Sequence, residues 1–593
     1  LARQDIYCNF FNLNNLIKYG YYDAPIKIKI NHFNQSVSYG LPDSIYEGLL
    51  DLEELIEILD SSRISLPGKR LDTEPLVFSI PKTEFTRRVY KFPNFYSYYI
   101  ICKFLVDNKE IIETAFANDI NSTSKFFNIE GFEYEKTKEI EKNILQFGKS
   151  VLNLDLSNFY PTLYTHSIDW AERGKNQAKA SRKTSLPGQI ALDLDELIRN
   201  CQFGETHGVP TGTLMARVVT EYYMTFFDAR LRNANYQTFT RYVDDFKFSY
   251  ISEQEKEGFL REFTTICNEL GLNINTMKTY VESYPSADKY SKAFIKNWDL
   301  ELNSRKWDST LRASIHNIID HCIYDEKSGG KGYLKYLLAA LRYKISNKET
   351  STNRISEVFL ESGTSKGVSI FERLLDISLS SPSLTNNFLR FSNVLKEYGD
   401  DISLKINGIV NKYYSSKVNI SSLIKLYSKN NLHQELYQIL LYAYEFKVHF
   451  EIQSYVKDIF TVDSDDFSMI LAILIYYRNI QSKNDWLHIL SEIDSVLSQT
   501  HSAYQSISRY SRMREQHWLL RYFIYTFINS GYIEESVVSQ YSIGKGYKNY
   551  SKGGFETELN SRYVFNIDKS DVVSNFYKDL LDNDVNLINL SDL

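Results

Sequence analysis

Proline nearly vanishes from the second half of this 593-residue chain. Of eleven prolines, ten lie at or before residue 285, and only Pro382 follows. Proline removes an N–H and breaks helix interiors, so its absence leaves room for long stacked helices. Cysteine is also scarce. The five, at 8, 102, 201, 267 and 322, include no Cys-x-x-Cys pair. That excludes a zinc ribbon or a disulfide scaffold and reads as reduced core thiols. There is no long apolar run. Phe467–Tyr477 is the longest, about half of what a membrane-spanning helix needs. No charged-then-apolar leader opens the chain, so a cytoplasmic protein with no membrane partner is expected. Nor is there a basic excess: the net charge is −6. Any surface for nucleic acid must therefore be local. Aromatics are plentiful at 15%, a total that either base stacking or an A- and T-rich genome explains.

The two halves differ in pattern as well as in proline. In the first, Ser150–Ser157 reads as a strand with an aspartate near its end, and Phe239–Tyr250 as a β-hairpin with two aspartates at its turn. A helix is predicted within Gly212–Met224 and another over Glu253–Leu270. Strand, helix, hairpin and helix in that order make a split β-α-β arrangement. In the second half Leu436, Ile439, Leu440 and Ala443 follow a 3.6 period. Asp465 and Asp466 precede Phe467–Tyr477 as an N-cap and a first-turn acid should. That helix is apolar nearly all round, hence buried on every side. The fold expected is α+β over residues 1–300, with the chemistry at about 150–285, followed by an all-α, solenoid-like array over 301–593.

The chemistry-bearing residues from Asp155 to Lys278 are spread over about 125 positions. Tyr242-Val243-Asp244-Asp245 alone is an ordinary hairpin turn, where aspartate is common. Asp155 changes its meaning. Carboxylates on two neighbouring strands are what two-metal nucleotidyl transfer requires, with two divalent ions clamping the attacking and leaving oxygens. Hard carboxylate and phosphate oxygens select Mg²⁺, with Mn²⁺ as a substitute. Asp155, Asp244 and Asp245 are the predicted ligands, with the Leu156 carbonyl as a further candidate because it follows Asp155 at the strand end. Between the acidic elements, Gly208-Val209-Pro210-Thr211-Gly212 lets backbone approach a nucleotide closely. After them, Lys278 is placed to protonate or neutralise leaving pyrophosphate; a plain surface lysine is the alternative. Upstream, Arg87, Arg88 and Lys91 alternate with aromatics on a predicted strand, as a triphosphate site or as a solvated edge.

This ordered set resembles the reverse transcriptases. Asp155 matches their first catalytic motif, Gly208–Gly212 the glycine-rich second, Tyr242–Asp245 the Tyr-x-Asp-Asp box, and Lys278 the following lysine motif. The resemblance makes Tyr160 the residue under the sugar that excludes a 2′-hydroxyl. A narrower likeness is to the bacterial abortive-infection reverse transcriptases, on Leu154–Ile168, Glu205–Gly212, Ser122–Asn128, Glu435–Tyr442, Tyr19–Asp23 and Ser511–Phe523. It runs nearly end to end. It implies a palm-and-fingers polymerase joined to HEAT-like helical repeats, phage defence, and assembly as trimers or hexamers. It further implies DNA synthesis that uses dNTPs, is primed by the protein and needs no template, leaving single-stranded DNA covalently attached. Thr211 stands where most reverse transcriptases have glutamine, and a smaller side chain without an amide agrees with untemplated synthesis. A templated RNA-dependent polymerase and a non-enzymatic helical scaffold are the alternatives.

Two further assignments concern DNA. Arg512, Arg514 and Arg521 accompany Trp518, Tyr522 and Phe523, and Arg514 and Arg521 lie two helical turns apart. Charge with rings suits single-stranded DNA, although a helix with a buried aromatic side and a solvated basic side has the same pattern. Tyr39 lies in a short-side-chain stretch, Ser36–Ser44, expected to be a loop. A tyrosine hydroxyl can act as a priming nucleophile, and this stretch resembles the segment that carries the priming tyrosine in the abortive-infection enzymes. Tyr46 and the Tyr19, Tyr21, Tyr22 cluster are its rivals.

Overall fold

The structure is a computed structural model. It describes residues 11–20, 26–30, 35–39, 49–60, 70–83, 85–124, 134–146, 148–181, 186–283, 298, 306–328, 332–346, 350–364, 367–416, 419–479, 483–502, 512–533 and 572–590. Three antiparallel β units occur among them. β1 (Ile26–Ile30) pairs with β2 (Gln35–Tyr39), and β3 (Leu76–Pro81) with β4 (Arg87–Phe92). The third is a four-stranded sheet of β5 (Ser150–Asp155), β6 (Phe239–Tyr242), β7 (Asp245–Tyr250) and β8 (Tyr280–Ser283), in the order β6-β7-β5-β8.

Helix α1 (Leu214–Asn233) and helix α2 (Glu253–Leu270) follow the two acidic elements and cover this sheet. Phe227 of α1 meets Phe246 of β7 and Phe263 of α2, and Phe259 stacks on Phe248 with centroids 3.9 Å apart. Offset and edge contacts of this kind add to the area buried. Thr213 caps α1 through Ala216 N–H, and Ser252 with Glu255 forms a reciprocal capping box on α2, which fixes where each helix starts. The split β-α-β order is as predicted, with α1 running nine residues beyond Met224.

From Ser309 onward every described element is helical. Helix α3 (His433–Glu445) buries the predicted Leu436, Ile439, Leu440 and Ala443. Helix α4 (Asp466–Asn479) is buried on all sides from Asp466 to Tyr476, and Asp465 Oδ1 accepts the Ser468 N–H at 2.8 Å. These helices do not stand apart from the strands. Phe78 of β3 lies edge-on to Tyr437 and Phe467, Trp518 lies edge-on to Phe95, and the Tyr577 hydroxyl donates to Asn94 Oδ1 at 2.7 Å. Near the end of the described chain, Ile588 bridges to Leu50. One buried apolar core therefore runs from Phe11 to Ile588. Among the described residues no helix is long and apolar enough to cross a membrane.

Two sequence-based expectations fail at this level. Ser36–Tyr39 is strand rather than loop: Tyr39 ends β2 opposite Ile26, and the alternation in Gln35–Tyr39 matches the Ile-Lys-Ile-Lys-Ile alternation of β1. Gly40–Ser44, Tyr21, Tyr22 and Tyr46 lie outside the described residues. The basic-aromatic segment is not a DNA-facing helix either. Arg512–Arg514 is a short 3-10 turn, and helix α5 (Trp518–Asn529) begins only after His517, which sits at φ +61°. Arg514 and Arg521 thus share no helix face. Arg514 Nε donates to the Asp72 carbonyl at 2.6 Å. Arg521 is fully buried, 3.3 Å from Glu515, and Trp518, Tyr522 and Phe523 are buried with it. Rings enclosed in a core cannot stack bases. The Arg512 side chain lies outside the described set.

Candidate active site

β5 and β7 pair in register so that Asp155 lies directly opposite Asp245. Asp244 sits next to Asp245 in the two-residue turn between β6 and β7. The short turn and the strand pairing thus bring three carboxylates to one edge of the sheet. Asp155 is 4% exposed, whereas Asp245 is open to solvent. Asp155 Oδ1 accepts from Asn275 Nδ2 at 2.7 Å and Oδ2 from Lys278 Nζ at 2.6 Å. Lys278 closes a 3-10 turn, Thr276–Lys278, that the backbone holds against β5 through Asn275 N–H to the Asp155 carbonyl at 2.8 Å. Asn275 is a site residue that the motif pattern did not single out. Its signal was its place three residues before Lys278.

The charges interact strongly. Burial pushes Asp155 up, but hydrogen bonds from Lys278, Asp245 and Asn275 outweigh it and hold the carboxyl below its ordinary value. Burial and the neighbouring Asp155 raise Asp244. Partial desolvation on the side of Asp245 that faces the cluster, a hydrogen bond to Asp155 and the charges of Asp244 and Asp155 lift Asp245 to about 7. The two carboxylates are thus pushed apart, Asp155 down and Asp245 up, as crowded carboxylates are. Burial works against the Lys278 charge, yet Asp155, Asp245 and Asp244 together raise its pKa.

Three crowded carboxylates, two of them with a raised proton affinity, are a donor set that suits a hard divalent cation. Asp155 is at present directed to Lys278 and Asn275, and among the described residues no three such side chains converge tightly enough to form a ready ion site. The Leu156 N–H donates to the Asp244 carbonyl at 3.1 Å, while the ladder to 273–275 passes through Asp155 and Ser157 on either side. The Leu156 carbonyl is left out of that ladder.

The glycine loop adjoins this edge. Gly208 adopts φ +81°, and a Cβ there would lie 2.9 Å from the Pro161 carbonyl oxygen. Gly212 adopts φ +106°, and its Cβ would press on the Tyr90 ring at 3.1 Å. Val209 N–H donates to the Tyr160 carbonyl at 2.9 Å, and Lys91 N–H to the Thr211 carbonyl at 3.0 Å. The loop is thus stitched to the segment after Asp155 on one side and to β4 on the other. The Pro210 carbonyl accepts from Thr213 Oγ1 at 3.3 Å, and the Thr211 hydroxyl turns back to the Val209 carbonyl at 3.3 Å. Tyr160 is half-buried. With Arg217, Thr220, Glu221 and Val243 it lines a shallow pocket beside the aspartate turn.

The three basic residues of β4 separate. Arg88 is exposed and lies near enough to Asp244 to oppose the rise in its pKa. Arg87 belongs elsewhere: its guanidinium meets both oxygens of Glu435 at 2.7 Å and the Ser79 carbonyl at 3.0 Å. A fork-to-fork pair of this kind fixes both partners, so Arg87 ties β4 to helix α3 instead of meeting a triphosphate. Lys91 donates to Gln202 Oε1 at 3.0 Å, and Gln202 Nε2 to the Gly208 carbonyl at 2.9 Å. Burial lowers the Lys91 pKa. It supports the glycine loop from behind.

Residues 106–311 match the family described as reverse transcriptase (RNA-dependent DNA polymerase). Among solved structures, the chain is similar to telomerase from Candida tropicalis in complex with a fragment of telomeric RNA, at 11% identity and a TM-score of 0.29, covering 69% of this chain and 70% of that one. It is similar to the apo telomerase of Candida tropicalis, at 11% identity and a TM-score of 0.30, covering 68% and 76%. The corresponding Candida albicans complex gives 13% identity and a TM-score of 0.28, covering 68% and 73%. No curated protein matches the sequence. Reverse transcriptase domains generally use divalent metals such as Mg²⁺. The matched range contains Asp155, the glycine loop, the aspartate turn and Lys278, so this chain carries a reverse transcriptase domain and is a nucleotidyltransferase of the DNA polymerase kind.

Proposed function

We propose that this protein is an antiphage abortive-infection polymerase that adds dNTPs to one of its own tyrosines without a template. The observation that carries the transfer chemistry is the register that sets Asp155 opposite Asp245, with Asp244 at the adjoining turn and Lys278 2.6 Å from Asp155. Two Mg²⁺ ions held by Asp155, Asp244, Asp245 and the Leu156 carbonyl would activate the attacking oxygen and offset charge on the leaving pyrophosphate. Arg88 faces the triphosphate beside Asp244. Lys278 neutralises or protonates the departing pyrophosphate as the new P–O bond forms and the bond to that group breaks. Tyr160 excludes ribose, and Gly208, Pro210, Thr211 and Gly212 let backbone lie along the nucleotide.

Priming and template independence rest on sequence likeness to the abortive-infection enzymes, AbiK in particular. Tyr39, at the end of β2, is the proposed nucleophile. The Thr211 hydroxyl, turned back into its own loop, offers no amide to a templating pair, which favours untemplated addition. The helical region beyond residue 300 is read as a HEAT-like scaffold on a palm-and-fingers domain. Trimers or hexamers, single-stranded DNA as the attached product and a cytoplasmic setting complete the proposal. The second reading, templated RNA-dependent synthesis, is favoured by the description of the matching family. Incubation with dNTPs and Mg²⁺ without template, followed by product sequencing, separates the two. Random sequence linked to protein is expected. Product only after a template and primer are added would favour the second reading.

A further inference from the structure

Val243 stands in the aspartate turn at φ +58°. For a β-branched residue this is a rare and strained backbone conformation. It persists only where surrounding groups hold it, and here they come from outside the hairpin. The Val243 N–H donates to Ser124 Oγ at 2.9 Å, and the Val243 carbonyl accepts from Arg241 Nη1 at 3.3 Å. Ser124 and Arg241 meet on one buried carboxylate. Ser124 Oγ donates to Glu221 Oε2 at 2.9 Å, and the Arg241 guanidinium reaches both Glu221 oxygens at 3.0 Å. Ser122 adds a bond to Glu221 Oε1 at 2.5 Å.

The rest of the guanidinium is equally fixed. Nε lies 2.7 Å from Asp228 and Nη2 3.3 Å from Asp119, and Arg232 binds Asp119 at 2.7 Å. Arg241, Asp119 and Asp228 are fully buried. The backbone of residues 121–124 is bound to Arg241 as well: Arg241 N–H donates to the Asn121 carbonyl and Thr123 N–H to the Arg241 carbonyl. The cluster therefore cannot shift relative to β6. On the far side of Asp244, its own carbonyl is held by Leu156 N–H at 3.1 Å. Both peptide groups that flank Asp244 are thus pinned, one by Arg241 and one by β5.

We propose that Ser124, Glu221 and Arg241 form a clamp on the strained Val243 backbone and thereby set the direction in which Asp244 presents its carboxylate. They are positioning residues for nucleotide addition, acting through the Val243 backbone. Without the Ser124 bond the turn relaxes from positive φ, and the Cα–Cβ direction of Asp244 turns with it. This rests on the reading of Asp244 as a metal-binding carboxylate.

The test uses the full-length protein with Ser124→Ala and Ser124→Thr, assayed for dNTP incorporation over ranges of dNTP and Mg²⁺. Ser124→Ala should lower kcat about tenfold, the loss of one well-made backbone bond at a group that must be held in place. KM for dNTP should stay within about twofold, because ground-state nucleotide binding is untouched. The Mg²⁺ midpoint should rise, melting should stay close to wild type, and Ser124→Thr, which keeps the hydroxyl, should recover most of kcat. Wild-type kcat in Ser124→Ala, loss of its folded state, or no recovery with threonine would each overturn the clamp. A wild type that incorporates no nucleotide under any condition would overturn the polymerase reading as well, whereas an active wild type beside an indifferent Ser124→Ala overturns the clamp alone.

Discussion

Tyr160 is the residue whose chemistry and surroundings are easiest to separate. Its ring lies edge-on to Phe159 with centroids 5.4 Å apart, and it shares a pocket with Arg217, Thr220 and Val243 beside Asp244. In the proposed function a rigid ring in that place rejects a larger sugar by clash, without a new attractive contact. Tyr160→Ala should therefore cut the preference for dNTP over rNTP on the order of 10- to 100-fold, the range that shape alone supplies in a pocket. Competitive incorporation of labelled dNTP and rNTP measures it, and an unchanged ratio would remove Tyr160 from sugar selection. Residue identity made the three aspartates and Lys278 legible, because carboxylates and a cation in that order have few other uses. It did not reveal partners. Arg87 and Arg88 are adjacent in sequence, yet one is held by Glu435, 348 positions away, and the other lies beside Asp244. Arg521 reads as a surface cation and is buried against Glu515. Long-range pairing of charges leaves no local pattern.

At the scale of elements, periodicity and punctuation were informative. The helix expected over Glu253–Leu270 is there, bracketed by Ser252 as a cap and Gly271 as a stop, and β5 and β7 pair in a register in which the aspartates meet. The stretch around Tyr39 misled because small polar residues suit an edge strand as well as a loop, and the partner strand β1 decides between them. The glycine loop carries a sharper consequence. Gly208 needs both positive φ and the absence of a Cβ next to the Pro161 carbonyl. Gly208→Ala should destabilise the protein by about 1–3 kcal/mol, from backbone strain and the contact together. Because Gly208 N–H donates to the Leu163 carbonyl and the neighbouring Val209 to Tyr160, DNA synthesis per folded molecule should fall too. Urea unfolding and a dNTP incorporation assay check both, and a variant with wild-type midpoint and rate would show the loop to be slack.

For the whole molecule, the helices after Ser309 and the strands before Ser283 share one core, joined by Arg87 to Glu435, Phe78 to Phe467 and Asn94 to Met513 and Tyr577. The shift from proline-bearing to proline-poor sequence marked where strands give way to helices, but the packing of helix α3 on β3, and of the last described helix against Asn94 and Tyr96 just after β4, was illegible in any local window. The contacts of helix α3 brace the hairpin that carries Arg88 beside Asp244. The account stands on Asp244 as an indispensable carboxylate in an otherwise intact fold. Its most direct test is labelled dNTP incorporation by Asp244→Asn beside wild type, with circular dichroism and melting recorded on the same preparations. The predicted result is incorporation reduced by at least about a thousandfold, the scale lost with a group that acts in the transition state, with melting unchanged or raised because a carboxylate crowded by Asp155 has been neutralised. Near-wild-type incorporation by Asp244→Asn would contradict the account.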